Sequence, residues 1–284
     1  MTQLESKERK TFIEDISEKT SAGNIYNDIE VIKDYPFVII RINREGDQLN
    51  TLSISACKEL DSALNDIWDD SESRVLILTG NDRVFSTGAD VGSIRDISPH
   101  EARHFARSGK MAFGRLEELN IPTIAAINGL CLGGGLELAL CCDFRIATQK
   151  ARFAQSEVNI GIIPGWGGCV RLPRTIGQTN AMRMIMSGDM INAKEALALG
   201  LISSIVPSNE SVIDFCKEFA KPFVSRSRIA LMYAKKAVKT GMEIPLKYAN
   251  DLESELFGFA WASEDREEGI DAFLKKEKPN WKHK

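Results

Sequence analysis

The sequence predicts an α/β protein: a core of alternating strands and helices over residues 26–206, followed by a helical region over residues 207–284. Three observations predict it. Apolar runs rich in β-branched residues recur at Phe37–Ile42, Val75–Thr79 and Ile121–Ile127, each bounded by Gly, Pro, Asn or Asp. Segments with apolar residues at helical spacing lie between them. Beyond Val206 the chain is mostly helix-forming.

Residues 1–25 are polar and carry Glu5, Glu8, Glu14, Asp15 and Glu18 without a continuous apolar run. They are expected to be a loosely ordered extension, not a secretory or mitochondrial signal. Two strands, Ile29–Ile32 and Phe37–Ile42, flank a turn at Asp34-Tyr35-Pro36. After a loop from Arg44 to Asn50, Ser53 serves as the N-cap of a helix with Ile54, Leu60, Ala63, Leu64 and Ile67 on one face. Val75–Thr79 is nearly all apolar and is expected to be buried on both faces.

A helix is expected from Pro99 to Leu119, a strand from Ile121 to Ile127, and a helix after Gly133-Gly134-Gly135. Asp143–Ala147 reads as a short strand, and the loop from Gln155 to Gly168 holds four glycines and a proline, too many for a regular helix. Residues 169–200 read as mostly helical and Leu201–Val206 as the last strand. Strand–strand–helix units recur loosely over residues 26–206 without a fixed period.

A net charge of -4, from 36 basic and 40 acidic residues, gives no global attraction to nucleic acid or anionic membranes. The segment 121–142 is long enough to span a bilayer, but Pro122, Asn128, Glu137 and four glycines fit a buried strand–turn–helix better. Six scattered cysteines without a CxxC pair, and only three histidines, argue against a metal site and for reduced thiols in a cytoplasmic protein. The last residues, Trp281-Lys282-His283-Lys284, form no retention or peroxisomal signal.

Chemistry concentrates at three places. Gly133-Gly134-Gly135 leaves backbone N–H groups open at a helix start, with Glu137 in the first turn. Gly88-Ala89-Asp90 stands at a second strand-to-helix junction, and Glu157 follows Glu137 by 20 residues. Each has a plainer reading: close helix–sheet packing for the glycines, a helix cap for Asp90, dipole complementarity for Glu137, a surface acid for Glu157. Together they supply two backbone turns and two carboxylates, a minimal kit for polarising a carbonyl and moving protons beside it.

These residues resemble the enoyl-CoA hydratase/isomerase (crotonase) superfamily, over about residues 28–281. The resemblance rests on Phe85-Ser86-Thr87-Gly88-Ala89-Asp90, Ile121–Gly129, Leu132–Ala139, Cys142-Asp143, Phe153–Glu157, Gly161–Gly168 and Arg171-Leu172. It implies a crotonase-like spiral of ββα units whose helical C-terminal region forms trimers, often paired as a hexamer. By the same resemblance, the Ala89 and Gly134 amides are the oxyanion hole for a thioester carbonyl. Glu137 then activates a water at C3, Glu157 serves the proton at C2, and the Gly165 backbone helps fix the water or Glu157. Asp90 and Trp166 are expected at the substrate, and Lys276 at a CoA 3′-phosphate.

The implied activity is hydration of a trans-2-enoyl-CoA, or the reverse, with no cofactor beyond the CoA-linked substrate. Both acids are retained, which favours hydration over an enoyl-CoA isomerase or another enolate-forming lyase, and over a non-catalytic acyl-CoA-binding protein. The chain departs from the usual pattern at Glu45 (commonly proline), Gly92 (commonly lysine), Trp166 (commonly small) and residues 1–25. Phe257 and Phe259 are expected to pack in the core, with reach into a neighbouring subunit's acyl pocket as the alternative implied by the resemblance, and the cysteines and histidines are expected to be structural.

Overall fold

The computed structural model describes residues 26–284; the polar extension of residues 1–25 lies outside the described residues. β1 (Ile29–Asp34) and β2 (Phe37–Ile42) form an antiparallel hairpin. α1 (Ile54–Asp69) begins where the Ser53 hydroxyl accepts from the Ala56 amide at 2.9 Å, and its apolar face, Ala56, Leu60, Ala63, Leu64 and Ile67, is buried. β3 (Val75–Thr79) is buried throughout, as its unbroken apolar run requires.

Three successive segments then repeat one plan. β3 is followed by β4 (Val84–Ser86) and α2 (Pro99–Glu118). β5 (Thr123–Ile127) is followed by β6 (Leu130–Leu132) and α3 (Gly134–Cys141). β7 (Phe144–Thr148) is followed by β8 (Arg152–Ala154) and, after a loop, α4 (Gly168–Ile176). The first strand of each pair enters a six-stranded sheet of order β1-β2-β3-β5-β7-β10, and the second enters a four-stranded sheet of order β4-β6-β8-β9. Alternation between two sheets makes the chain coil as a spiral of ββα turns.

α5 (Gln178–Ser187), β9 (Ile191–Asn192), α6 (Ala193–Ala198) and β10 (Ser204–Val206) complete the core. The short β9 interrupts the helical run expected over 169–200, because Ile191 and Asn192 pair with Phe153 and Arg152 at the edge of the small sheet. The last strand is shorter than expected: Leu201 and Ile202 are buried before it begins.

One face of the large sheet joins α1, α2 and α3 in the main core. The other face, including Ile39, Val75, Ile77, Ile124 and Ile146, is covered by α7 (Val212–Val224). α8 (Arg228–Gly241), α9 (Leu246–Trp261) and α10 (Glu264–Lys275) follow. α8 is anchored by Asp143, which takes Lys235 and Lys239 at 2.8 Å each and the Thr123 amide at 2.9 Å. Against the core packing expected of them, Phe257 and Phe259 are 64% and 59% exposed on α9. They share the C-terminal surface with exposed Trp261, Phe273 and Leu274.

Candidate active site

The small sheet assembles the site. β4, β6 and β8 run parallel with Ser86 opposite Cys131 and Leu132 opposite Ala154, so their C-terminal ends leave one edge together. The segments that follow are Thr87–Asp90, Gly133–Glu137 and Gln155–Glu157. Three stretches separated by up to 70 residues in sequence therefore emerge side by side.

Two of these segments bring amides together. Gly88 (φ 94°) and Gly133 (φ 50°) adopt backbone conformations that favour glycine. A Cβ added at Gly88 would stand 2.6 Å from the Gly134 nitrogen, and one at Gly134 would stand 3.3 Å from the Ala89 nitrogen. Leu52 donates its amide to Gly88 O at 2.8 Å and accepts from the Asp90 amide at 3.3 Å. A parallel bridge of this kind uses the residues flanking Ala89 and turns the Ala89 N–H the other way. Among the described residues, neither the Ala89 nor the Gly134 amide donates to a protein acceptor. The Gly134 amide also lies at the N-terminal, positive end of α3.

Glu137 is 2% exposed, and its Oε1 accepts from the Trp166 amide at 2.8 Å and the Gly168 amide at 2.7 Å. Burial pushes its carboxyl above the ordinary value, against those two N–H groups and the charges of Arg171 and Lys110. Glu157 opens the 3-10 turn Glu157–Ile160 and is half-buried, with its Oε1 3.0 Å from where a Gly133 Cβ would be. Burial, with the nearby Glu137 charge adding to it, pushes Glu157 up to about 7. The fully buried Gln155 amide, oriented so that its nitrogen faces the carboxylate, donates to both Glu157 oxygens at 3.2 Å.

Other expected site residues are placed as follows. Gly165 is half-buried beside Ala106 of α2; the amides that hold Glu137 belong to its neighbours Trp166 and Gly168. Asp90 receives Arg44 at 3.1 Å and caps the 3-10 turn Val91–Ile94. Lys276 is exposed in a left-handed conformation at the end of α10, and among the described residues no ion pair links it to the carboxylate cluster. A surface hollow of about 880 Å³, lined by Arg44 and Asn43–Gln48, includes none of Ala89, Gly134, Glu137 or Glu157.

Sequence reasoning missed three supporting residues. Buried Asn50 donates to Ile42 O at 2.9 Å and Phe85 O at 2.8 Å, tying the 44–52 loop to β4. Gln155 contacts Glu157 as above. Arg171 grips Glu117 through Nε and Nη2, the shortest bond being 2.7 Å, while its Nη1 donates to Trp166 O at 3.0 Å. Gln155 and Arg171 stand inside motifs that carry the resemblance, without a role read from them there, and Asn50 gave no signal. Arg171→Met is expected to destabilise the protein by about 1–3 kcal/mol, read by chemical unfolding, because it strands Glu117 and the Trp166 carbonyl.

The fold is α/β, and its edge cluster sets two adjacent amides without protein acceptors beside two carboxylates, an arrangement chemically able to polarise a carbonyl oxygen. The model of the enoyl-CoA hydratase/isomerase family matches residues 37–284, and the chain belongs to that family. It is 38% identical over 257 residues to the crotonyl-CoA hydratase of Syntrophomonas wolfei, covering 90% of this chain and 98% of that protein. It is 39% identical over 253 residues to a short-chain-enoyl-CoA hydratase of Clostridium acetobutylicum, covering 89% and 96%. The crystal structure of an enoyl-CoA hydratase from Bacillus anthracis matches with a TM-score of 0.85 at 36% identity, covering 90% of this chain and all of that one.

Proposed function

We propose that the protein adds water across the double bond of a trans-2-enoyl-CoA to give a 3-hydroxyacyl-CoA, or catalyses the reverse dehydration. The observation that carries this reading is a pair of carboxylates in unlike surroundings beside two adjacent free amides. Glu137 is fixed by two N–H groups, and Glu157 sits near neutrality. Unlike surroundings are what separate a base from an acid of the same chemical type.

In this reading the thioester oxygen accepts from the Ala89 and Gly134 amides. Glu137 takes a proton from water as the water oxygen bonds to C3. The double-bond electrons move onto C2 and the thioester oxygen, and protonated Glu157 supplies the proton to C2. Each amide would stabilise the enolate-like charge by on the order of 3 kcal/mol. Gly165 and Trp166 shape the loop around the water, Asp90 steadies the Ala89 turn at the substrate, and Lys276 meets the CoA phosphate. The reaction needs no metal or cofactor beyond the CoA-linked substrate.

The exposed aromatic surface of α9 and α10 supports a homotrimer or dimer of trimers. Six cysteine thiols and the near-balanced charge support a cytoplasmic protein with no nucleic-acid or membrane partner. The test is crotonyl-CoA with loss of the enoyl thioester absorbance as readout. A product heavier by one water supports hydration; an unchanged mass with a moved double bond supports isomerisation; no turnover at any chain length supports a binding protein.

The raised Glu157 carboxyl sets two pH dependences. Hydration, which needs its proton, is expected to lose kcat/KM as pH rises past about 7, and Glu157→Gln to lose that dependence with most of its activity. A carboxyl raised on folding stabilises below its unfolded value, and that contribution is lost as pH rises through the folded value. Glu157→Gln is therefore expected to gain stability over wild type between pH 5 and 8, by roughly 1–2 kcal/mol after allowing for partial solvent access. Unfolding midpoints of both proteins at the two pH values check the sign.

A further inference from the structure

The first turns of α2 read His100-Glu101-Ala102-Arg103-His104. The order is H-E-x-x-H, in which histidines four positions apart stand on one side of a helix and can grip one metal ion. So short a pattern carries weight only if the helix forms and the two rings converge. Both conditions hold. Pro99 and the Ser98–Glu101 capping box fix the start of α2, so positions 100 and 104 fall on successive turns. Both residues are exposed, and their Nε2 atoms stand 3.1 Å apart, with ring centroids at 4.6 Å and planes at 73°.

Two nitrogens bound to one zinc ion at about 2.0–2.1 Å each stand roughly 2.9–3.4 Å apart for ligand angles of about 90–110°. The observed separation falls inside that range. A proton shared between the rings also holds them so, since one neutral imidazole can donate to the other. A divalent ion takes that proton's place with a small turn of the rings. Three histidines are too few for a buried tetrahedral site, but two suffice for a surface chelate.

The other parts of a hydrolytic metal centre are missing. Oε2 of Glu101 accepts from the Ser98 amide and hydroxyl at 2.7 Å each, so the carboxylate caps the helix and does not face an ion as a base. Among the described residues, no third His, Cys, Asp or Glu completes a metal-binding group. Water fills the remaining ligand positions. Exposed Arg103 and Arg107 each follow one histidine of the pair by three positions, and their charge weakens the hold on a cation. The opposite side of α2 carries buried Gly109, Ala112 and Phe113, and the Phe105 carbonyl accepts from Trp166 Nε1 at 3.3 Å. The pair therefore lies on the side of α2 turned away from the loop that holds Glu137.

We propose that His100 and His104 form a surface chelate for one divalent transition-metal ion of the zinc class, which bridges the first two turns of α2 and stabilises them. The site is separate from the proposed thioester chemistry. Imidazole nitrogens select zinc, nickel and copper over magnesium and calcium, which prefer oxygen ligands. An ion that binds the folded pair more tightly than the unfolded chain stabilises the fold by mass action.

The test titrates ZnCl2 by calorimetry into wild type, His100→Ala, His104→Ala and His104→Gln. Glutamine keeps a hydrogen-bonding side chain without a ligating imidazole, which separates a lost ligand from a lost hydrogen bond. Cys169→Ser and His283→Ala are the controls for the exposed thiol and the third histidine. Wild type and both controls are expected to bind one ion at the pair, and all three variants of the pair to bind it at least about tenfold more weakly. Thermal midpoints are measured alongside, with ZnCl2 at roughly ten times the dissociation constant. Wild type is expected to rise by about 2–4 °C, the variants of the pair not at all, and MgCl2 to have no effect. Neither histidine is packed in the core, so the variants fold. Absence of zinc binding in wild type, undiminished binding in His100→Ala or His104→Ala, or its loss in Cys169→Ser or His283→Ala overturns the chelate.

Discussion

Glu137→Gln is expected to lower kcat for crotonyl-CoA hydration by roughly a hundred- to ten-thousand-fold, with a much smaller change in KM and no loss of stability. The substitution is nearly isosteric. The glutamine oxygen can still accept from the Trp166 and Gly168 amides that hold Oε1 at 2.8 and 2.7 Å. What it cannot do is accept a proton from water. Burial opposes the charged form of Glu137, so a neutral side chain there relieves a cost of folding. Steady-state kinetics and thermal unfolding of the same preparation separate these effects. A variant that unfolds easily would instead mean that the carboxylate is mainly structural.

Asp143→Ala is expected to have the largest effect on stability, about 3–5 kcal/mol at neutral pH. The carboxylate joins Lys235 and Lys239 of α8 to the Thr123 amide and hydroxyl of β5, so it links the C-terminal helices to the core. Lys235 has a side chain only 13% exposed, and removing its partner leaves an ammonium group away from water. Although burial pushes the Asp143 carboxyl up, the two lysines outweigh it and hold the group below its ordinary value. A carboxylate lowered on folding stabilises above its unfolded value, and that stability is lost as pH falls through the folded one. The gap between wild type and Asp143→Ala should therefore be widest near pH 7 and narrow in acid. Urea unfolding across that range measures it.

The sequence makes the long elements legible because burial writes itself in periodicity. β3 shows as an unbroken apolar run, and α1 announces its start through Ser53. β4, β6 and β8 are three residues each, too short for any period, and they sit among glycines that read as turns. Those three strands make the edge from which the site grows. The two glutamates were readable as residues, but their shared edge follows from the β6–β8 register, with Gly133 donating to Ala154 O at 2.9 Å, and register is not local. Trp166 was visible as a bulky residue in a glycine loop. That Gly109, 57 positions earlier, makes room for it needed the packing of α2.

The most direct test of the two-carboxylate account is crotonyl-CoA turnover by wild type, Glu137→Gln, Glu157→Gln and the double variant under identical conditions. Groups that act in one transition state are not additive. Each single variant is expected to lose at least about a hundredfold in kcat, and the double variant to be no worse than about tenfold below the weaker single. Turnover within tenfold of wild type in either single variant would contradict the account.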